Sequence, residues 1–255
     1  MSANLKDRTI VVTGATKGIG RATAAALTRE GARVVATGRD RAAGEETRRR
    51  AEAAGSACLF IEHDVRDENG WETMFAAAEK QFGPVHGLVN NAGAFFVKPL
   101  ADTSEADFDA IYETNVEGTF LGIREAFRWF KRSGTAGAIV NVSSLMGQVG
   151  FPNAVAYCAT KGAITAMTKT AALEGAQMSP KVRVNSLHPG VIWTPMITDQ
   201  FGDDPALQEA FAAETPLRMI GRPEYMADAI LFLLGDDALL MTGAELTADG
   251  GRGAD

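Results

Sequence analysis

Short apolar runs rich in β-branched residues alternate with helical patterns along almost the whole chain, and this alternation limits the fold more than any other feature. Nearly continuous apolar runs are typical of parallel strands that helices cover on both faces. Seven runs are predicted as strands: Ile10–Thr13, Arg33–Thr37, Ala57–Ile61, Gly87–Asn90, Ala138–Val142, Arg183–Leu187 and Glu245–Ala248. Repeated strand–helix units predict an α/β fold with a doubly wound sheet of about seven parallel strands.

The predicted helices between these strands are each followed by a glycine. They are Arg21–Glu30 before Gly31, Ala42–Ala54 before Gly55, and Trp71–Phe82 before Gly83. Glycine just past a helix commonly ends it in the left-handed conformation, which we expect at all three positions. Ser104 and Asp107 have the spacing of a capping box and predict the start of a long helix that continues towards Lys131.

Composition favours one globular domain over residues 1–255 that handles small molecules. Hydrophobic residues make up 46% of the chain and charged residues 22%, and the net charge of −7 disfavours nucleic acid or an anionic membrane as a partner. No apolar run reaches the ~18 residues of a membrane span. The polar start, Met1–Arg8, predicts no signal peptide. The sequence has only two cysteines, Cys58 and Cys158, so we expect a reduced, cytoplasmic location. Neither these cysteines nor the three histidines have the spacing of metal ligands, so we expect no bound metal.

A glycine-rich segment lies between the first predicted strand and the helix that follows it. Glycines there allow a tight turn and close approach to a pyrophosphate, while the helix N-terminus offers free N–H groups. This context predicts that the chain is a single-domain Rossmann-type protein and that the loop binds a nucleotide. The residues expected to bind the cofactor are Thr13, Gly14, Thr16, Lys17, Gly18, Ile19 and Gly20.

The residues after the second strand bear on the choice of dinucleotide. Gly38 carries no carboxylate for a ribose hydroxyl, and Arg39 offers a guanidinium to the 2′-phosphate of NADP(H). Lys17 would add a second positive charge. NADP(H) is therefore favoured, while Asp40 keeps NAD(H) as an alternative.

Residues that follow the later strands are expected to complete the cofactor site. Asp64 would accept a hydrogen bond from the adenine amino group beside Val65, and small residues after the fourth strand would let the cofactor lie close. A segment after the sixth strand would meet the nicotinamide carboxamide. These residues are Asn91, Ala92, Gly93, Pro189, Gly190, Ile192 and Thr194.

Tyr157 and Lys161 are four residues apart on a predicted helix, so both side chains lie on one face. An ammonium near a phenol lowers its pKa from ~10, and Tyr157 would then be the general acid in reduction and the general base in oxidation. Ser144, just beyond the fifth strand, would hold the reacting oxygen. Asn115, inside the long helix, would hold a water against Lys161. Tyr157 and Lys161 are also expected to contact the cofactor.

These motifs resemble the short-chain dehydrogenase/reductase family over essentially the whole chain. The resemblance implies a catalytic tetrad of Asn115, Ser144, Tyr157 and Lys161, and the family spacing selects Ser144 rather than Ser143. The chain is similar in particular to the bacterial R-specific NADP-dependent secondary alcohol dehydrogenases and carbonyl reductases. Those enzymes are homotetramers with a magnesium site at the C-terminus. The resemblance thus implies a homotetramer, but the tail Asp249–Asp255 departs from theirs, and we carry over no metal.

Apolar residues are expected to line the substrate pocket, under a lid formed by residues 194–216. They are Met146, Val155, Trp193 and Met196, together with Ser144 and Tyr157, and in addition Ile197 and Phe201. Such a lining predicts hydride transfer between NADP(H) and a hydrophobic ketone or secondary alcohol.

Two alternatives remain open. A 3-oxoacyl-thioester (acyl carrier protein) reductase could dock its acidic carrier on Arg128, Lys131 and Arg132. A non-catalytic dinucleotide sensor would share the fold, although it would have no use for Tyr157 and Lys161.

Overall fold

The computed structural model describes residues 4–254, in which seven parallel strands form one sheet, as the sequence predicts. Met1–Ala3 and Asp255, at the ends of the predicted domain, lie outside the described residues. The strands are β1 (Thr9–Val12), β2 (Arg33–Gly38), β3 (Cys58–Glu62), β4 (Val85–Asn90), β5 (Gly137–Val142), β6 (Val182–Pro189) and β7 (Glu245–Ala248). They lie in the order β3-β2-β1-β4-β5-β6-β7.

Helices cover both faces of this sheet. In chain order they are α1 (Gly18–Arg29), α2 (Arg41–Ala54), α3 (Glu68–Phe82), α4 (Glu105–Tyr112), α5 (Gly118–Ser133), α6 (Val155–Gly175), α7 (Pro195–Phe201), α8 (Pro205–Ala213) and α9 (Pro223–Leu234). Successive strand residues point to opposite faces, so Ile10 and Val12 pack with α1, α2 and α9, whereas Val11 packs with α3, α5 and α6. The two apolar cores therefore share every central strand.

Two of these helices begin three residues earlier than their apolar periodicity predicts. α1 starts at Gly18 rather than Arg21, and α3 starts at Glu68 rather than Trp71. The first turn of each carries few buried residues, so periodicity does not reveal it. Helix α9 was not predicted at all, although its residues are largely apolar and buried.

The glycine caps are confirmed at two of three positions. Gly31 and Gly83 both have φ of +81°, in the left-handed region. Gly55 has φ of 175°, so the predicted left-handed cap is wrong there. Glycine is needed at this position for space, because a Cβ would lie 2.1 Å from the carbonyl oxygen of Thr28 at the end of α1.

The predicted long helix is interrupted by a wider turn. Ser104 and Asp107 form the expected capping box at its start. Between α4 and α5 the five residues Glu113–Glu117 form a π-helix, and Gly134, with φ of +65°, ends α5. Single π turns inside α-helices often mark functional positions, and this one contains Asn115.

Candidate active site

A groove runs along the carboxyl ends of the strands, where the strand order reverses between β1 and β4. Ligands bind at this position in open α/β sheets. Most of the predicted cofactor and catalytic residues line it: Gly14, Thr16, Lys17, Gly18, Ile19, Arg39, Asp64, Val65, Asn91, Ala92, Gly93, Ser144, Tyr157, Lys161, Pro189, Gly190, Ile192, Thr194 and Met196. The sequence did not single out Thr114, Val142 or Pro195, which also line it.

Thr13 and Gly20 lie beneath the groove and shape it. The hydroxyl of Thr13 accepts hydrogen bonds from the N–H groups of Asn91 and Ala92, both at 3.0 Å. A Cβ at Gly20 would lie 2.5 Å from the carbonyl oxygen of Gly14, so only glycine lets α1 pack this closely against the loop. Both residues therefore act on the loop's shape.

The glycine-rich loop fits a pyrophosphate. Gly14 has φ of +61°, and a Cβ there would lie 2.7 Å from the Cα of Ala92. Lys17 precedes α1 without capping it through its side chain, whereas Asp40 and Asp67 cap α2 and α3. The first N–H groups of α1 thus border the groove without a side-chain acceptor, the arrangement that binds phosphate at helix N-termini.

The charged side chains at this end of the groove differ in whether they already have a partner. Arg39 is exposed, lines the groove and makes no hydrogen bond or salt bridge with any residue in 4–254. The Asp40 carboxylate accepts a hydrogen bond from Ala43 N at 3.0 Å and lies outside the lining. Lys17 Nζ lies 3.1 Å from a carboxylate oxygen of Asp199 on α7. Arg39 is therefore the cation that is available to a ligand at this end.

Asp64 borders the groove at the end of β3. Its carboxylate pairs with the Arg66 guanidinium at 2.7 Å, and this hydrogen bond lowers the pKa of Asp64. The carboxylate is consequently anionic at neutral pH and can still accept a further hydrogen bond.

Two adjacent serines at the end of β5 have different partners. Ser143 Oγ bonds to the carbonyl oxygen of Lys161 at 2.9 Å and to the hydroxyl of Thr165 at 3.2 Å, and so fixes α6 to the sheet. Ser144 Oγ accepts from Met146 N at 3.1 Å, which leaves its own proton for another acceptor. Only Ser144 is thus equipped to donate into the groove.

Tyr157 and Lys161 lie one turn apart on α6, as predicted, and both are buried. Lys161 Nζ donates to the carbonyl oxygen of Val142 at 2.9 Å and lies 5.5 Å from the centre of the Tyr157 ring. The Tyr157 ring packs edge-on against Phe95 at 4.8 Å between centroids. The Tyr157 ring is therefore in contact with an aromatic ring and lies close to an ammonium group.

The expected lowering of the Tyr157 pKa is wrong for the protein's own groups. Burial raises the pKa of Tyr157 to about 12, which outweighs the lowering by the hydrogen bond with Ser144. Burial also lowers the pKa of Lys161 to about 8. Low dielectric disfavours the charged form of each group, and Lys161 at this distance does not offset that cost for the phenol.

Asn115 connects the loop after β4 to α6. Its Oδ1 accepts from Ala94 N at 2.7 Å, and its Nδ2 donates to the Ala94 carbonyl and to Thr160 Oγ1, both at 3.0 Å. A Cβ at Gly93 would lie 3.4 Å from Asn115 Oδ1 and 3.7 Å from Lys161 Nζ. The side chain therefore fixes the wall beside Lys161, and the water that we expected it to hold stays a prediction.

An aromatic run joins Tyr157 to the segment predicted as a lid. From Tyr157 it passes through Phe95 to Phe201 on α7, 6.2 Å between centroids, and on to Phe211 on α8, 5.7 Å. The sequence singled out Phe201 but missed Phe95 and Phe211. Ring packing between distant segments has no local pattern that would have revealed them.

Two of the predicted substrate contacts line the groove, namely Met196 and Ile197. Three others lie outside its lining: Met146, Val155 and Trp193. Met146 packs in the apolar cluster around Tyr157. Val155 begins α6 and is 39% exposed. The Trp193 indole N–H donates to Asp203 at 3.2 Å, between α7 and α8. These three positions are near the pocket in sequence, but their side chains have other neighbours.

Comparison with known proteins agrees with this geometry. A family model described as enoyl-(acyl carrier protein) reductase matches residues 14–252. The chain is 39% identical to the NADP-dependent (R)-specific alcohol dehydrogenase of Lentilactobacillus kefiri over 98% of both chains. It is 38% identical to the cyclopentanol dehydrogenase of Comamonas testosteroni over 97% of both chains. The crystal structure of levodione reductase matches with a TM-score of 0.93 and 29% identity, over 98% of this chain and 99% of that one.

The chain belongs to the short-chain dehydrogenase/reductase family. It is an oxidoreductase, and the predicted NAD(P)-dependent hydride transfer, to a ketone or from a secondary alcohol, is confirmed at the level of the family. Among residues 4–254, no helix is long and apolar enough to span a membrane. The same part of the chain contains no group of three or more His, Cys, Asp or Glu side chains that could hold a metal ion.

Proposed function

We propose that the protein interconverts a hydrophobic ketone and its secondary alcohol, with NADP(H) as the hydride partner and Tyr157 as the acid–base group. The observation that carries the proposal is the position of Ser144, Tyr157 and Lys161. All three are buried in one groove, between a glycine-rich phosphate loop and the apolar segment of α7.

The chain's own residues supply orientation and a proton. Ser144 donates a hydrogen bond to the substrate oxygen and holds that oxygen towards the phenol. In reduction Tyr157 gives its proton to the same oxygen, and in oxidation it takes the proton back. Lys161 stabilises the phenolate in between and is tied to Val142. A dinucleotide held along the groove would supply or accept the hydride at the substrate carbon.

NADP(H) is favoured because Arg39, at the adenosine end, is a cation without a partner among the described residues 4–254. Its guanidinium can form a bidentate pair with the 2′-phosphate. Asp40, the residue that would favour NAD(H), has its carboxylate engaged in capping α2. The NADP-dependent relative at 39% identity supports the same preference.

A hydrophobic substrate is favoured by the side of the groove nearest Tyr157. Met196 and Ile197 line it, and the aromatic run from Phe95 to Phe201 lies behind them. None of these side chains could neutralise a charged substrate group, whose desolvation would be costly. The names of two relatives, an (R)-specific alcohol dehydrogenase and a cyclopentanol dehydrogenase, support this substrate class.

The acyl carrier alternative is weaker. Arg128 pairs with Glu125 on its own helix at 3.4 Å, and the Arg132 guanidinium lies 3.8 Å from the centre of the Trp129 ring. Two of the three cations of the supposed docking patch are therefore engaged locally. The cytoplasmic location expected from the sequence stays a prediction.

Tyr157→Phe tests the proposal, because it removes only the phenolic oxygen. Turnover of a panel of neutral ketones with NADPH should fall by ~10²–10⁴, while NADPH binding, followed by protein fluorescence, should persist. Tyr225→Phe is the matched control, since Tyr225 is 39% exposed and lies outside the groove. Near wild-type turnover by Tyr157→Phe on the best substrate would refute the mechanism.

A further inference from the structure

The fully buried side chain of His188 packs directly behind the catalytic serine. Its Nδ1 lies 3.0 Å from the carbonyl oxygen of Ser144, and its Nε2 lies 2.8 Å from the hydroxyl of Ser186. A carbonyl oxygen only accepts, so Nδ1 carries the proton and donates it. In the neutral ring Nε2 then accepts from Ser186. Burial lowers the pKa of His188, which favours this neutral form.

We propose that His188 is a positioning residue that sets the orientation of Ser144 for proton donation. The proposal rests on the function proposed above. The Ser144 carbonyl also accepts from Gly147 N at 2.9 Å, but Gly147 belongs to the same turn and moves with it. His188 belongs to β6 and ties the peptide after Ser144 to the rigid sheet.

The edge of the sheet supports the same turn at its other end. Gln148 Nε2 donates to Glu245 on β7 at 2.7 Å, and Thr247 donates to Gln148 at 3.2 Å. Glu245 also lies 2.5 Å from Lys169 and 3.9 Å from His188 Nε2. The turn from Ser144 to Gln148 is thus held by β6 at its start and by β7 at its end, while the face of Ser144 towards the groove stays open.

Two amide substitutions separate the two contacts of the imidazole. The amide nitrogen of Asn comes close to the place of Nδ1, so His188→Asn can still donate to Ser144 but loses Ser186. The amide of Gln reaches the place of Nε2, so His188→Gln keeps the contact with Ser186 but loses Ser144. Both variants remove the titratable group, and each loses one buried hydrogen bond.

We expect His188→Asn to retain most of the wild-type kcat. His188→Gln should lose about 10- to 100-fold in kcat, because small displacements of an orienting group are this costly. The Kd of NADPH should stay close to wild type in both, since His188 itself lies outside the groove lining. A merely structural role would instead lower the activity of both variants in step with Tm.

The pH profile of alcohol oxidation gives an independent measurement. The Ser144 hydrogen bond lowers the pKa of Tyr157, so a misplaced Ser144 should move the acidic limb of kcat/KM to higher pH in His188→Gln only. Lys161 and Cys158 also face Tyr157, and Glu245, Lys161 and Lys169 face His188. All of these groups are the same in both variants. A difference between the acidic limbs of His188→Asn and His188→Gln therefore reports the position of Ser144.

Equal kcat values and equal limbs in the two amide variants would overturn the inference. If His188→Gln does not fold, Ser186→Ala removes only the hydroxyl that fixes the ring, and it should lower kcat several-fold with the same limb shift. An unchanged Ser186→Ala would overturn the inference as well. An inactive Tyr157→Phe beside a fully active His188→Gln would reject this inference alone, whereas an active Tyr157→Phe would reject the proposed function.

Discussion

Replacing Arg39 by Ala should weaken NADPH binding and leave NADH binding nearly unchanged. The 2′-phosphate would lose a charge-assisted hydrogen bond, and such bonds to charged groups contribute ~1.5–3 kcal/mol. Arg39 is exposed, so solvent screens the pair and the lower end applies. Since ~1.4 kcal/mol is a factor of ten, we expect about a tenfold rise in the Kd of NADPH.

Arg41→Ala is the matched control for this loss of charge. Arg41 lies two residues further along, pairs with Glu62 at 2.9 Å and lies outside the groove. Titrations of both cofactors at two salt concentrations should show a salt-dependent NADPH affinity that Arg39→Ala abolishes and Arg41→Ala preserves. A wild-type protein that prefers NADH, with Arg39→Ala weakening both cofactors equally, would refute the reasoning. Arg39 would then stack on the adenine ring.

A carboxylate at position 38 should reverse the preference from NADPH to NADH, but its side chain needs space beside Thr16. A Cβ at Gly38 would lie 2.6 Å from Thr16 Cγ2, closer than side chains tolerate, but 3.6 Å from Thr16 Cβ and Oγ1. Gly38→Asp alone should therefore lower Tm. In combination with Thr16→Ser, which removes that methyl group, the carboxylate should repel the 2′-phosphate and favour NADH. Thr16→Ser alone gives the baseline, and a double variant that still prefers NADPH would contradict this argument.

Two further predictions concern Lys161 and the assembly. Lys161→Ala should be nearly inactive, and its residual rate of alcohol oxidation should rise at alkaline pH. Burial already raises the pKa of Tyr157 to about 12 in the wild type, and in the variant the phenolate also loses its neighbouring ammonium group. A flat profile measured from pH 7 upwards would count against this role. Light scattering at micromolar concentration should give four times the chain mass of 27.0 kDa. Leu239 and Leu240, beside the edge strand β7, are 68% and 98% exposed, and we expect contacts between subunits to cover them. A monomer would show that this apolar surface needs no partner.

The sheet and the cofactor loop could be predicted because their causes are local in sequence. Each strand matches its predicted bounds to within two residues, since a strand buried on both faces must be apolar throughout. The glycine-rich loop and the Tyr157–Lys161 spacing are likewise contained within eight and five consecutive residues. Their meeting in one groove then follows from the parallel sheet, which brings all the carboxyl ends of its strands to one edge.

The remaining parts of the site depend on contacts between distant segments. The π-helix around Asn115 has no pattern in sequence, because the wider turn is fixed by bonds to Ala94 and Thr160. Asp40 resembles a ribose ligand by position, yet it caps α2. His188 shows no ligand spacing, and its role becomes visible only when β6 lies beside the turn that carries Ser144.

The environment of Tyr157 also bears on the pH dependence of the reaction. The side chain is buried, and its pKa of about 12 keeps the phenol protonated at neutral pH. Lys161, whose pKa is about 8, is still mostly protonated there and carries the positive charge. In this state Tyr157 can give a proton at once but can accept one only after it has ionised. Oxidation of the alcohol should therefore accelerate as the pH rises, because each increment increases the fraction of phenolate.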